Sequence, residues 1–368
     1  MRHNYVDNLR WLVVLLLFPY HTARIFDNLE NFYVKGMEST VFAVFILFCN
    51  PWFMPLLFTV AGMSTYYSLQ KRSYRNYLAE RFSKLFVPLV SGVLLLIPVQ
   101  TYFAERFHND FYGSYFGQYI LFFTKDTDLT GYSGGFTPGQ LWFILFLFII
   151  SLTALPCIIV YEKMRRRFGI GKTLPVAIVF TLLLAAGMSQ IINVDGKDIG
   201  SFFSIFMLGY LVLSQEKVME VLQRMRWLLA GIALLLIMMH LLTCYGYCGW
   251  YHDFRKSCTL MDKITSLVSV LAVLAWGRQH LNFRTGMTDY FSRTSFLVYV
   301  FHQSWIVLIG YYVLQVMTGL VVPFCLILVL SILATFLTCT LSQRSAVATA
   351  LFEGKRITPK DSLSVAHK

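Results

Sequence analysis

Within one apolar stretch near the start of the chain, Leu9 to Phe26, lie Arg10 and His21, with Arg24 three positions further on. Eleven positions at about 100° each place Arg10 and His21 within about 20° of one helical face and about 16 Å apart along the axis. Side chains so placed address one cavity at two depths. A neutral imidazole is the usual general base toward an alcohol, and a guanidinium suits a phosphate or a carboxylate. Asp7 precedes Arg10 by three positions, the right spacing for a pair. Pro19 removes a backbone donor beside His21 and can free a carbonyl there. The plainer reading makes Arg10 and Arg24 headgroup-level side chains at the two ends of a helix and His21 a hydrogen-bonded packing residue.

Two further histidines interrupt apolar stretches. His302, in Phe301-His302-Gln303, has apolar neighbours on both sides and should face a bundle interior, whereas His240 lies near a segment end where it can meet water. A basic stretch from Lys71 to Lys84 holds Arg72, Arg75, Arg81 and Lys84, with Tyr74 and Tyr77 interleaved. Such a patch can take the phosphates of a nucleotide-like donor. Equally, it can fix topology and touch anionic lipid.

The elements that must position these residues are membrane helices. The 368 residues are 57% hydrophobic and 14% charged, against about 45–50% apolar and about 25% charged in soluble domains. Apolar runs long enough to cross a bilayer fall near 9–26, 41–69, 85–103, 139–161, 173–192, 199–214, 227–246, 259–277, 289–317 and 320–342. The expected fold is an all-α polytopic membrane helix bundle of about ten transmembrane helices, multi-pass in the cell membrane. Residues 1–343 form its membrane domain and 344–368 a short cytoplasmic tail. The net charge of +12 comes from clusters between apolar segments rather than from one soluble face, so it reads as topology and not as a nucleic-acid surface. The clusters follow the second, fourth, sixth, eighth and tenth segments, which puts both termini in the cytoplasm by the positive-inside rule. The first segment lacks a small-residue cleavage site and is expected to stay as a helix.

Residues 104–139 mix aromatics with glycines, and part of this stretch is expected to be re-entrant or interfacial. No internal repeat is visible, which disfavours the inverted-repeat transporters. Cys49, Cys157, Cys325 and Cys339 sit in apolar stretches as small hydrophobes. Cys244, Cys248 and Cys258, near His252, leave open unpaired thiols, a disulfide or a metal site, although their spacing fits no standard zinc pattern and no metal is expected.

Several segments, in order, carry a resemblance to a known family. Tyr5-Val6-Asp7-Asn8-Leu9-Arg10 leading to His21 resembles the opening of the membrane acyltransferase 3 family, with its Arg and His separated by ten residues in the first helix. Phe58-Thr59-Val60-Ala61-Gly62 resembles its Gly-containing second helix, and Arg81-Phe82-Ser83-Lys84-Leu85-Phe86-Val87-Pro88 its cytoplasmic Arg-x-x-Arg segment ahead of a Pro. Leu141-Trp142-Phe143 and Tyr299-Val300-Phe301-His302-Gln303 resemble later pieces of the same family. Lys84 replaces the second Arg, and a lysine cannot make the planar bidentate fork. The overall likeness is greatest to stand-alone members that modify cell-surface glycans, the succinyl-transferring glucan-modification proteins among them.

The resemblance implies transfer of an acyl group from cytoplasmic acyl-CoA, a co-substrate rather than a cofactor, to a hydroxyl of a carbohydrate or other envelope glycan acceptor. It makes His21 the general base and gives the donor to Arg10, with Arg81, Lys84, Arg72 and Arg75 on the CoA phosphates. Trp142 and His302 become cavity-lining candidates. The competing readings are a transporter or flippase using Arg10, His21 and His302, and a lipid-binding regulator without turnover.

Overall fold

A computed structural model describes residues 4–127, 129–168, 193–194, 197–244 and 259–355. Their regular structure is helical apart from a two-residue antiparallel ladder that pairs Asn193 with Asp198 and Val194 with Lys197. Seven helical stretches among the described residues are long and apolar enough to cross a bilayer: Asn4–Phe26, Thr40–Leu69, Tyr74–His108, Gly139–Met164, Arg226–Thr243, Gly286–Val316 and Val321–Arg344. Ile199–Leu213 with Glu216–Arg224 makes an eighth if a pair bent by 99° is one span. The chain is therefore a polytopic all-α membrane protein. Of the ten expected segments, 259–277 lies in a helix, Thr259–His280, that also carries Asp262, Lys263 and Arg278 and is not among the seven. Segment 173–192 lies outside the described residues, as do Cys248, His252 and Cys258.

Local sequence explains where the spans break. The first helix, α1 (Asn4–Phe26), starts five residues before the expected Leu9 and runs on through Pro19. The second span is two helices, α2 (Thr40–Cys49) and α3 (Phe53–Leu69), parted at Asn50-Pro51-Trp52 where Pro51 offers no backbone donor. The third is α4 (Tyr74–Arg81), a five-residue π turn (Phe82–Phe86), α5 (Val87–Leu95) and α6 (Ile97–His108), with Pro88 and Pro98 each in the first turn of a new helix. Segment 199–214 coincides with α9 (Ile199–Leu208) and the π turn that continues it over Gly209–Leu213, and the chain bends only after it, where α10 (Glu216–Arg224) turns away by 99°. Between them lie α7 (Tyr115–Thr124) and α8 (Trp142–Phe168). The chain closes with α11 (Arg226–Cys244), α12 (Thr259–His280), α13 (Gly286–Val316), α14 (Val321–Arg344) and α15 (Ala346–Glu353).

Contacts divide the chain into two compact units. The first comprises Met1–Val13, Leu47–Leu78 and Ile149–Ser292. In it α3 and α9 meet backbone to backbone: a Cβ on Gly62 would stand 2.0 Å from the Phe206 carbonyl oxygen, and one on Gly209 would stand 2.3 Å from that of Thr59. Close crossings of this kind are how helices associate where lipid supplies no hydrophobic drive. Asn8 fastens the start of α1 by donating to the carbonyls of Leu281 (2.7 Å) and Phe283 (2.8 Å), just past the end of α12.

The second unit comprises Val14–Ile46, Ala79–Phe148 and Arg293–Lys368. Its core includes Leu17, Phe18, Ile25, Phe26, Val298, Val300 and Ile306, all essentially unexposed. Helix α7, ten residues long, is too short to span; it buries Gln118 and Phe122 and exposes Phe116, Ile120 and Phe123 at helical spacing, a pattern suited to a membrane interface. Within the segment read as a tail, α15 folds back on α5. Phe352 packs on Phe301 (ring centroids 4.9 Å), Ser83 Oγ donates to the Gly354 carbonyl, and Gly354 is left-handed (φ 61°). A Cβ on Gly354 would fall 1.7 Å from the Ser83 carbonyl oxygen.

The crossing of α3 and α9 predicts a contrast between glycines. Gly62→Leu is expected to lower the yield of monodisperse protein in fluorescence-detected size exclusion several-fold. Gly231→Ala, whose Cβ would meet nothing within 4 Å, should leave it unchanged.

Candidate active site

At the loop-bearing end of the second unit, His21 of α1 and His302 of α13 come together with ring centroids 5.2 Å apart. Their positions are 281 residues apart in sequence, and both were drawn out of lipid by the same need, since a polar ring at membrane depth must find polar or enclosed surroundings. His302 is fully buried; its Nδ1 lies 2.8 Å from the carbonyl oxygen of Tyr299, one turn back, and its Nε2 has no hydrogen-bond partner. His21 is half-buried, and its Nδ1 is enclosed and likewise without a partner. Aromatic rings wall the pair: Phe18 stands edge-on to His302 (5.9 Å), Tyr20 edge-on to His21 (5.2 Å), and Phe32 is stacked on His21 at 6.1 Å with an interplanar angle of 16°.

Phe32 reaches His21 because the loop after α1 is held by charge. Arg24 Nη1 lies 3.0 Å from Asp27 Oδ2, and Lys35 Nζ lies 3.2 Å from Oδ1 of the same carboxylate, which has no exposure. Lys35 also donates to the Asp27 carbonyl (2.6 Å), Arg24 to the Asn31 carbonyl (3.1 Å), and His108 Nε2 lies 2.7 Å from the Phe32 carbonyl. Arg24 is thus enclosed, with its guanidinium 5.8 Å from the Phe32 ring centre, and is not the headgroup-level side chain that its place at the helix end suggested.

Tyr33 and Tyr132 extend the aromatic wall (5.2 Å), and Tyr132 also faces Phe32 (6.0 Å). The strand of loop carrying Tyr132 turns at Gly131 (φ 78°) and Gly134 (φ 82°). Gln118 donates to the Gly134 carbonyl (2.8 Å), and a Cβ on Gly134 would strike the Glu105 side chain. Glu105 is itself buried and pairs with Lys125.

Beside His302 lies a buried amide network, of which the motif Tyr299-Val300-Phe301-His302-Gln303 supplies one side and Gln100 and Gln140 the other. Gln100 Nε2 donates to Gln140 Oε1 (2.9 Å) and to Ser304 Oγ (2.8 Å), and Gln303 Nε2 donates to Gln100 Oε1 (3.0 Å). Gln140 Nε2 donates to the Val300 carbonyl (3.1 Å), and the Tyr299 hydroxyl donates to the Gln140 carbonyl. The network ties α6, the entry to α8, and α13 at the turn that carries His302. The available signal was chemical type alone: three glutamines inside apolar helices must bond to one another or to backbone.

The other expected residues stand elsewhere. Arg10 belongs to the first unit, bonded to Asp7 (3.2 Å), as its spacing predicted, and to Ser64 Oγ (2.8 Å). Arg72 and Arg75 are exposed in that unit too, whereas Arg81 is half-buried at the end of α4 in the second. Lys84 lies in the π turn and is paired with Glu80, so its charge is already matched. Trp142 is half-buried and meets Phe146 edge-on at 5.4 Å on its own helix. His240 lies 3.9 Å from Asp262 in the first unit.

The model of the acyltransferase 3 domain, described as an acyltransferase domain, matches residues 3–342. The chain belongs to this family. Among curated proteins the family member is similar to glucans biosynthesis protein C of Escherichia coli K12, at 20% identity over 98% of this chain and 96% of that one. It is similar to the same protein of E. coli O139:H28 at 19% identity over the same shares. No solved structure matches it. Family membership makes the chain an integral membrane acyltransferase.

The charge cluster beside the pair generates a testable contrast. Asp27→Asn leaves Lys35 enclosed without its counter-charge and Arg24 with only the exposed Glu30, a loss of about 3–5 kcal/mol for a broken buried pair. The thermal midpoint of the purified protein is expected to fall by many degrees. Glu30→Gln removes a partner of Arg24 whose side chain is 78% exposed, and it should cost less than about 1 kcal/mol. Equal shifts in the two variants would contradict the assignment.

Proposed function

We propose that this protein transfers an acyl group from acyl-CoA, supplied from the cytoplasm, to a hydroxyl of a cell-envelope carbohydrate, with His21 as general base. The observation that carries the proposal is the half-buried imidazole of His21 beside a second, fully buried imidazole, enclosed by aromatic rings in the fold of a membrane acyltransferase family. The relation to proteins of glucan biosynthesis points to a glycan acceptor.

The chemistry needs few groups. His21 accepts the proton of the acceptor hydroxyl as its oxygen attacks the thioester carbonyl. The resulting tetrahedral centre collapses with cleavage of the carbon–sulfur bond, and the CoA thiolate leaves and recovers the proton. Removing water from the site protects the thioester from hydrolysis, and Phe32 over His21 is the ring placed to do so. A glycan face stacks well on aromatic rings, which the wall of Phe32, Tyr33 and Tyr132 supplies.

In this reading both termini are cytoplasmic, and the loop-bearing end of the second unit, with 27–39 and 109–138, faces outward to the acceptor. Arg10, toward the amino-terminal end of the helix that carries His21, orients the donor. Arg81 takes the CoA phosphates, with Arg72 and Arg75 on the approach and Lys84 as the weaker contributor because Glu80 is its partner. Trp142 and His302 line the reaction cavity, and residues 1–343 constitute the catalytic membrane domain.

Purified protein incubated with acetyl-CoA or succinyl-CoA and an envelope glycan extract is expected to release free CoA thiol in an acceptor-dependent way. His21→Ala should lower that rate by about 10²–10⁴-fold, the usual worth of general base catalysis, while its size-exclusion profile stays that of the parent. Arg81→Gln should raise KM for acyl-CoA by about 10–100-fold, the equivalent of one charge-assisted hydrogen bond, with kcat little changed. A His21→Ala variant as active as the parent would overturn the base assignment. No thiol release by folded protein from either donor would turn the reading toward transport.

A further inference from the structure

We propose that His302 is a positioning residue that fixes the tautomer of His21, taking a hydrogen bond from its Nδ1–H so that Nε2 of His21 is left bare to act as the base. The inference rests on the reading of His21 as the base and adds the group that makes it one.

Nδ1 of His302 stands 2.8 Å from the carbonyl oxygen of Tyr299, and a carbonyl oxygen only accepts. Nδ1 therefore carries the hydrogen. A neutral imidazole has one N–H, so Nε2 of His302 is a lone pair with no donor, in a side chain with no exposure. Leaving such an acceptor unmatched in an enclosed site is costly.

The complementary half is on the neighbouring ring. Nδ1 of His21 is also enclosed and unpartnered, on an imidazole whose centre lies 5.2 Å from that of His302. If the His21 hydrogen sat on Nε2, a bare Nδ1 would join the bare Nε2 of His302 among apolar rings, and neither lone pair would have a donor. With the hydrogen on Nδ1, the two neighbouring rings hold one donor and one acceptor instead of two acceptors. Catalytic hydrogen bonds are commonly long in the unliganded state and tighten with substrate.

The arrangement repeats the logic of a base oriented by a third group, with a neutral imidazole in the place usually held by a carboxylate. A carboxylate there would need its own counter-charge at membrane depth, whereas a neutral ring with one fixed hydrogen does not. His302 is itself held in place. Tyr299 and Val300, in the turn before it, bond to Gln140, and Gln303, next to it, bonds to Gln100. The amide network thus sets α13, α13 sets the hydrogen on His302, and His302 sets the hydrogen on His21.

The test has two readouts on the full-length protein. In the first, ¹⁵N-histidine-labelled protein, with His21 assigned by its loss in His21→Ala, is expected to show His21 protonated at Nδ1. In His302→Phe the same signal should move to the Nε2–H form or to a mixture. In the second, acceptor-dependent CoA release by His302→Phe should fall by about 10²–10³-fold in kcat with KM for acyl-CoA unchanged, as for a base left in the wrong tautomer. His302→Gln, which can return an acceptor oxygen near the position of Nε2, should recover at least about tenfold of that loss. A structural role alone would not make Gln better than the bulkier, apolar Phe.

The proposal is overturned if His21 is in the Nε2–H form in the parent protein, if its tautomer is unchanged in His302→Phe, or if the Gln variant is no better than the Phe variant. The nitrogen spectrum needs no turnover. A tautomer shift alongside an active His21→Ala variant would therefore uphold the pairing and sink the base reading instead.

Discussion

The carboxylate of Asp27 has no exposure, and it is tolerable there only because Arg24 reaches it from three residues before and Lys35 from eight residues after. That three-way pairing dictates the path of the chain leaving α1. Lys35 can reach Asp27 only if residues 28–34 fold back over the helix end, and once they do, Phe32 lies on His21 and its carbonyl meets His108. The outer aromatics follow in turn, since Tyr132 packs against both Phe32 and Tyr33. A buried ion pair is seldom a net source of stability; here its effect is geometric, converting a loop into a roof over an imidazole.

The floor of the same site depends on a different constraint, that amides inside an apolar unit must satisfy one another. Gln100, Gln140 and Gln303 come from three separate parts of the chain, and their bonds tie α6 and the entry to α8 to the turn of α13 that carries His302. Roof and floor are built from unlike interactions, ionic above and amide below, and each locates one imidazole of the pair. The two imidazoles therefore sit on helices rather than on loops.

How much of this was legible in the sequence differs from residue to residue. The Asp7–Arg10 pair was readable because it is local, three positions on one helix. His21 and His302 were separately legible as imidazoles in apolar stretches, but nothing in one chain states that positions 281 apart will share an enclosure. For Arg24 the sequence leaves two readings open, a headgroup-level side chain or one near the stripe of His21, because its partner Asp27 is near in sequence but the enclosure comes from Lys35 and the returning loop. The match of Lys84 with Glu80 is legible at four positions, although the charge run around Lys84 points to a phosphate instead. Span breaks at Pro51 and Pro98 follow known proline behaviour. The bend after Leu213 does not announce itself, because Ser214-Gln215 is an ordinary polar step between an apolar run and a charged one.

The central claim is that the acyl group leaves its thioester and ends as an ester on a glycan hydroxyl at the His21 site. The most direct measurement is to follow a ¹³C-labelled acyl group. Proteoliposomes holding the protein receive labelled succinyl-CoA or acetyl-CoA on one face and an envelope glucan extract on the other, and both pools are then analysed by mass spectrometry. The account predicts labelled ester on the glucan, formed across the bilayer and stoichiometric with free CoA. Label that stays on CoA while unmodified glucan crosses the membrane would contradict it and make the protein a transporter.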